Sequence, residues 1–324
     1  MSARRRVAFL VGAVAVAAVA VVGVAVVSSD GGSAASQTTT TPGSRPGRPP
    51  LSLALGFRTD AEARDLAQGQ ALYAQGDTKA AEALFAKHDS LEAKVGAALA
   101  AWPDDSLARL EQLAKLYPDQ AVVQLHLGLA RLWANEGDPV EEWRGVLDSE
   151  PDTPYAIVAG NLLHPDLPRG LPAFIPSFGA PAAIRTLPPA RQLGALRAAA
   201  EHGDLREQLL YGVGLQRVGR PVSAARVFDR AARQYPDEVE AQVAGAVGEF
   251  DKDAPERAFG RLGPLSAKYP KDPTVRFHLG VLLLWTGRIR QAERQFRLAS
   301  RAKPGSPLTG EAKRYLETIR KARS

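Results

Sequence analysis

Hydrophobic and polar positions divide the chain into three stretches. From Val7 to Val27 no side chain is polar. Residues 28–50, SSDGGSAASQTTTTPGSRPGRPP, hold no residues that could build a core. Beyond them apolar residues recur at helical spacing, as in Leu205, Leu209, Leu210 and Val213, and no strand-like alternation competes. Repeated Tyr-Pro-Asp or Lys-Pro endings close the helical segments, because proline cannot continue a helix and biases the residue before it away from one. The pattern predicts an all-α fold.

A longer period overlies the helical one. Residues 126–133 read HLGLARLW and residues 278–285 read HLGVLLLW, in a chain with only five His and four Trp. Around the second copy, Gly280, Leu283, Gly287, Ala292, Phe296, Ala299 and Pro304 set a ruler. The same ruler fits Gly212, Leu215, Gly219, Ala224, Phe228, Ala231 and Pro236, and again Ala246, Ala258, Leu262, Leu265 and Pro270. Nearer the N-terminus it fits Gly69, Leu72, Gly76, Ala81 and Phe85, then degenerates around Gly96 and Gly128. Residues 61–322 thereby resemble the tetratricopeptide repeat (TPR) family, whose unit of about 34 residues is a pair of antiparallel helices with small residues at their crossing.

That resemblance implies a right-handed α-solenoid of about seven helix pairs, closed by a capping helix. The expected layout is a basic tail at 1–6, a transmembrane helix at 7–27 and a flexible Ser/Thr/Gly/Pro-rich linker at 28–60. TPR-like units follow at 61–163 and 189–306, and a capping helix and tail at 307–324. Between Leu163 and Pro189 the fourth unit is interrupted by a Pro-rich insertion, residues 164–188. Its first helix is expected at 154–163 and its second at 189–202. The insertion carries Phe174, Ile175 and Phe178 and is too apolar for a solvated loop. It reads either as a flap shaping the groove or as a hydrophobic plug between two half-solenoids.

The 21 apolar residues of 7–27, at ~1.5 Å rise, span roughly 30 Å, enough to cross a bilayer. Arg4, Arg5 and Arg6 precede them and should stay cytoplasmic, which places the remainder outside the cell membrane as a single-pass protein. A cleaved secretory signal is the competing reading, but its apolar region is usually about 7–15 residues long. Either reading exports the rest.

Composition narrows the chemistry. There is no Cys, which excludes disulfides, thiol nucleophiles and Cys-ligated metals. Net charge is +6, unevenly spread: +4 over residues 1–50, −7 over 51–270 and +9 over 271–324. The basic end reads as a solvated helix face, with docking on anionic lipid or another polyanion as the alternative; nucleic acid is not expected. The common phosphate-loop, acyl-hydrolase and zinc-protease signatures are missing from the sequence, so no enzyme, cofactor or small-molecule substrate is expected.

The resemblance implies a protein-binding scaffold whose first helices line a concave face. On that face His126, Leu129 and Trp133 should form one ledge and His278, Val281 and Trp285 another, with Arg206, Leu210, Val213 and Arg217 between them. Packing only against neighbouring helices is the alternative for the Trp and Leu residues. Partners would be helical or extended protein segments in envelope assembly or secretion. The other readings are a positioning subunit of an envelope enzyme complex and an adaptor that docks through its basic C-terminus.

Overall fold

The computed structural model describes residues 46–302 and 305–322, and among them it contains sixteen helices and no strand. The described residues fall into two compact units that divide between Pro151 and Asp152.

In the first unit six helices follow in pairs: α1 (Ala61–Gln75) with α2 (Thr78–Phe85), α3 (Leu91–Ala100) with α4 (Ser106–Leu116), and α5 (Ala121–Ala134) with α6 (Val140–Ser149). Side chains of Asp60, Asp77 and Ser90 accept from the backbone N–H three residues on and start α1, α2 and α3. Gly76, at φ +101°, closes α1 in the left-handed conformation. Consecutive helices pack, and α3 also packs on both α1 and α5, so the first helices form a continuous layer. Glycine makes the crossings close: a Cβ at Gly69 would stand 2.6 Å from the Phe85 ring, and one at Gly128 would stand 2.5 Å from Trp143 Nε1.

The second unit contains α7 (Pro154–Leu163), the short α8 (Ala182–Arg185) and α9 (Pro189–His202). Three pairs follow: α10 (Leu205–Arg217) with α11 (Pro221–Gln234), α12 (Val239–Gly248) with α13 (Glu256–Lys268), and α14 (Pro273–Trp285) with α15 (Ile289–Ala302). Helices α10, α12 and α14 form the first-helix layer, as α1, α3 and α5 do. The last helix, α16 (Pro307–Lys321), packs on α14 and α15. It buries Leu308, Ala312, Tyr315 and Ile319, and the Tyr315 ring stacks 4.9 Å from Phe296. That contact gives the expected capping helix its apolar face.

Three expectations need comment. Helices α7 and α9, expected to pair, do not pack against each other among the described elements; α9 packs on α10. Helix α7 instead lies across the turns of the following pairs. Asp152 accepts from Arg220 Nε (2.8 Å) and Ser223 Oγ (2.6 Å), and Pro154 abuts Gly219. At its other end Asn161 Oδ1 accepts from Lys252 Nζ at 2.7 Å. Within the stretch read as a linker, Pro49, Leu51, Ser52 and Leu53 are buried. Finally, placement in a membrane is corrected: no described helix is long and apolar enough to cross one, and residues 7–27, on which that expectation rested, lie outside the described residues.

Candidate functional site

Each unit holds an extended, proline-containing segment of its own chain against its first-helix layer. We call these segments straps: residues 47–57 in the first unit and 170–179 in the second. Extended backbone leaves N–H and C=O groups without ladder partners, and burial makes each of them costly unless it is hydrogen-bonded. The helices supply the partners.

In the first unit the Ser52 N–H donates to His126 Nε2 at 3.1 Å, and the Leu53 N–H donates to Gln70 Oε1 at 2.9 Å. Tyr73 Oη donates to the Pro49 carbonyl at 2.6 Å, and Trp102 Nε1 donates to the Gly47 carbonyl at 3.1 Å. In the second unit the Ile175 N–H donates to His278 Nε2 at 3.0 Å, and the Phe174 N–H donates to Gln216 Oε1 at 3.1 Å. Ser177 N–H donates to Glu240 at 2.8 Å, and Lys252 Nζ donates to the Pro168 carbonyl at 3.1 Å. Every one of these side chains lies on, or just beyond, the first helix of a pair. Successive N–H groups of an extended chain point to opposite sides, so His and Gln straddle each strap.

The two histidines are set in one way. His126 Nδ1 is 2.6 Å from the Val122 carbonyl and His278 Nδ1 is 2.7 Å from the Thr274 carbonyl, each one helical turn back. A carbonyl can only accept and an amide N–H can only donate, so both rings are neutral, with the proton on Nδ1 and the Nε2 lone pair aimed at the strap. Both side chains are fully buried, and burial pushes their pKa down from 6.5 to about 4. His278 also stacks on Phe174 with ring centres 5.0 Å apart. The recurrence of His at this repeat position therefore holds a peptide, an assignment the helical pattern alone does not make.

Lys252 is buried, and its ammonium donates to Asn161 and Pro168 at the entry of the second strap. Desolvation lowers its pKa to about 8. Asn161 Oδ1 also accepts from the Gly170 N–H at 2.8 Å. The strap is thereby fixed where it leaves α7.

The residues expected to face a partner are distributed unevenly. His126, Leu129, Trp133, His278, Val281, Trp285 and Leu210 are buried, Val213 is half-buried, and Arg206 and Arg217 are exposed. Trp285 is 1% exposed, so its ring is core. Phe174 is likewise core and meets Phe228 edge-on at 5.4 Å, whereas Ile175 and Phe178 are half-buried. Arg206 stands over the Phe178 ring at 4.4 Å, closing one end of the strap's site.

The sequence carries a signal for the straps that helical periodicity does not detect. Residues 47–56, GRPPLSLALG, and 170–179, GLPAFIPSFG, share glycine at both ends, proline at the third position and a large apolar residue at the fifth and ninth. The structure gives the match physical content. Gly47 and Gly170 are both left-handed, at φ +84° and +77°. Pro49 and Pro172 are both buried, as are Leu51 and Phe174. The residue after each, Ser52 or Ile175, donates to the histidine. The helices share this register, since Tyr73 and Gln216 each follow the crossing glycine, Gly69 or Gly212, by one turn.

No curated protein matches the chain. Residues 62–87, which make up most of α1 and all of α2, match the tetratricopeptide repeat family model, so the first helix pair is similar to the TPR unit, a helical repeat that generally mediates protein–protein contact.

Proposed function

We propose that this protein is a non-enzymatic scaffold that binds extended segments of other proteins along its first-helix faces. The observation that carries this reading is the pair of straps. In both units the first helices present a buried imidazole acceptor, an amide of Gln and apolar crevices, and each set grips a peptide backbone. Such a surface reads main-chain groups for affinity and alternate side chains for selectivity. Polar groups this well spaced along an extended chain are more than a repeat needs to stack its own helices. Arg206 and Arg217, exposed on α10, add positive charge that would steer acidic flanks of a partner.

A photo-crosslinker at Val213, one helical turn before Gln216 on the strap-facing side of α10, tests this in full-length protein, with Arg294 on α15 as the outer-face control. The expected result is a defined protein trapped at Val213 and not at Arg294, whose capture is competed by excess unlabelled partner. Equal, uncompeted capture at both positions would remove the support for a working first-helix face.

A further inference from the structure

Two sequences that differ at seven of ten positions occupy equivalent sites in one molecule. The position that donates to histidine is Ser in one and Ile in the other, and the next is Leu in one and Pro in the other. What the two sites hold in common is therefore not the identity of these side chains. What stays constant is narrower: a left-handed glycine, a buried proline two residues on, a buried large apolar residue two further, a free N–H on the residue after that, and a second large apolar residue before a closing glycine. Two sites lined by different polar residues but sharing the histidine thus hold one backbone register, and the requirements of that register can be met by a third sequence.

We infer that the external ligand is an extended segment with this register, glycine-x-proline-x-apolar followed by a non-proline residue and a second apolar anchor four residues after the first, and that the strap of the second unit is its resident competitor. The inference rests on the scaffold reading above and specifies its ligand. Tethering gives the resident strap an effective concentration on the order of millimolar, so an outside segment competes only when the strap is weakened or its own affinity is high. Histidine sets the stringency. A proline in the donating position would leave Nε2 buried without its donor, whereas any other residue supplies the N–H.

The experiment uses the full chain and two fluorescent peptides, residues 168–180 and 46–58. In the variant Ile175→Pro the strap loses its N–H to His278. A second variant carries a protease site inserted after Gly179, where the chain is exposed, and is cut in the folded state. The 168–180 peptide should bind the Ile175→Pro chain about tenfold or more tighter than the intact chain, the size expected when a buried acceptor regains its donor. It should also bind the cut chain more tightly than the intact one, because a strap held at one end only is a weaker competitor. The 46–58 peptide should bind within about tenfold of it, and a 168–180 peptide carrying Ile175→Pro should bind about tenfold more weakly. Absence of binding to the cut chain, or binding that ignores the Pro substitution, would overturn the inference. Dimerisation of the opened chain that excludes both peptides would also overturn it, by assigning the face to a second copy's strap. Peptide failure alongside specific trapping at Val213 would sink the register and leave the scaffold reading standing.

Discussion

The strap of residues 47–57 is held by Gln70, which accepts from the Leu53 N–H, and by Tyr73 and Trp102, whose polar atoms donate to strap carbonyls, and its buried anchor is Leu51. The strap of residues 170–179 is held by Gln216, Glu240 and Lys252, and its anchor, Phe174, sits in the aromatic core between Phe228 and His278. Only the histidine contact is common to both in kind and in place. The difference separates two roles: histidine fixes register through the backbone, while the neighbouring polar groups and the anchor set how firmly each strap is held. By this account the second strap is the more deeply built in.

The largest effect should come from that anchor. Phe174→Ala should destabilise the second unit by about 3–5 kcal/mol, and Leu51→Ala the first by about 2–5 kcal/mol toward the lower end, because Leu51 retains some exposure. Denaturant unfolding, with hydrogen exchange to tell the units apart, measures both. Equal losses would remove the asymmetry drawn here.

Acid should act on the two straps alike. Each native histidine remains neutral down to about pH 4, whereas its unfolded counterpart takes up a proton near 6.5. Between these values the unfolded state binds more protons, so stability falls as pH falls. The contribution is fully present above about pH 6.5 and lost by about pH 4, amounting to roughly 3 kcal/mol per histidine. His278→Ala should lower stability at pH 7 by about 1–3 kcal/mol by orphaning the Ile175 N–H, and it should also flatten the acid loss of the second unit. A pH profile unchanged by this substitution would place the titration elsewhere.

Much of this architecture is legible in the sequence, and the rest is hidden for identifiable reasons. The helices and the crossing glycines follow from period and size, and His126 and His278 stand out by repetition. The straps do not show in such patterns, because Pro-rich extended chain has no helical or alternating period and reads as linker or insertion. Helix α7 misleads in a further way: its apolar residues occur at helical spacing, yet its Pro154 and Asn161 meet the turns at Gly219 and Lys252, and the helix does not complete a pair with α9. Trp133 and Trp285 look like exposed anchors because indole is common at interfaces, but the neighbouring helices bury them.

Smaller changes sharpen the contrast at the strap ends. Lys252→Ala should cost about 1–2 kcal/mol, since two hydrogen bonds from a buried ammonium are lost while its desolvation is relieved, and exchange should quicken at Gly170 before it does at Ile175. Arg206→Ala should cost about 0.5–1 kcal/mol through loss of its contact with Phe178, with no change in the first unit.

The most direct measurement is native-state hydrogen exchange resolved to the Ser52 and Ile175 amides at neutral pH. Clamping by histidine predicts that both are protected well beyond the rate of a free peptide, and that His126→Ala and His278→Ala each release only the amide facing the altered ring. Free-peptide exchange at either amide in the unaltered chain, or release of neither amide by the histidine substitutions, would contradict it.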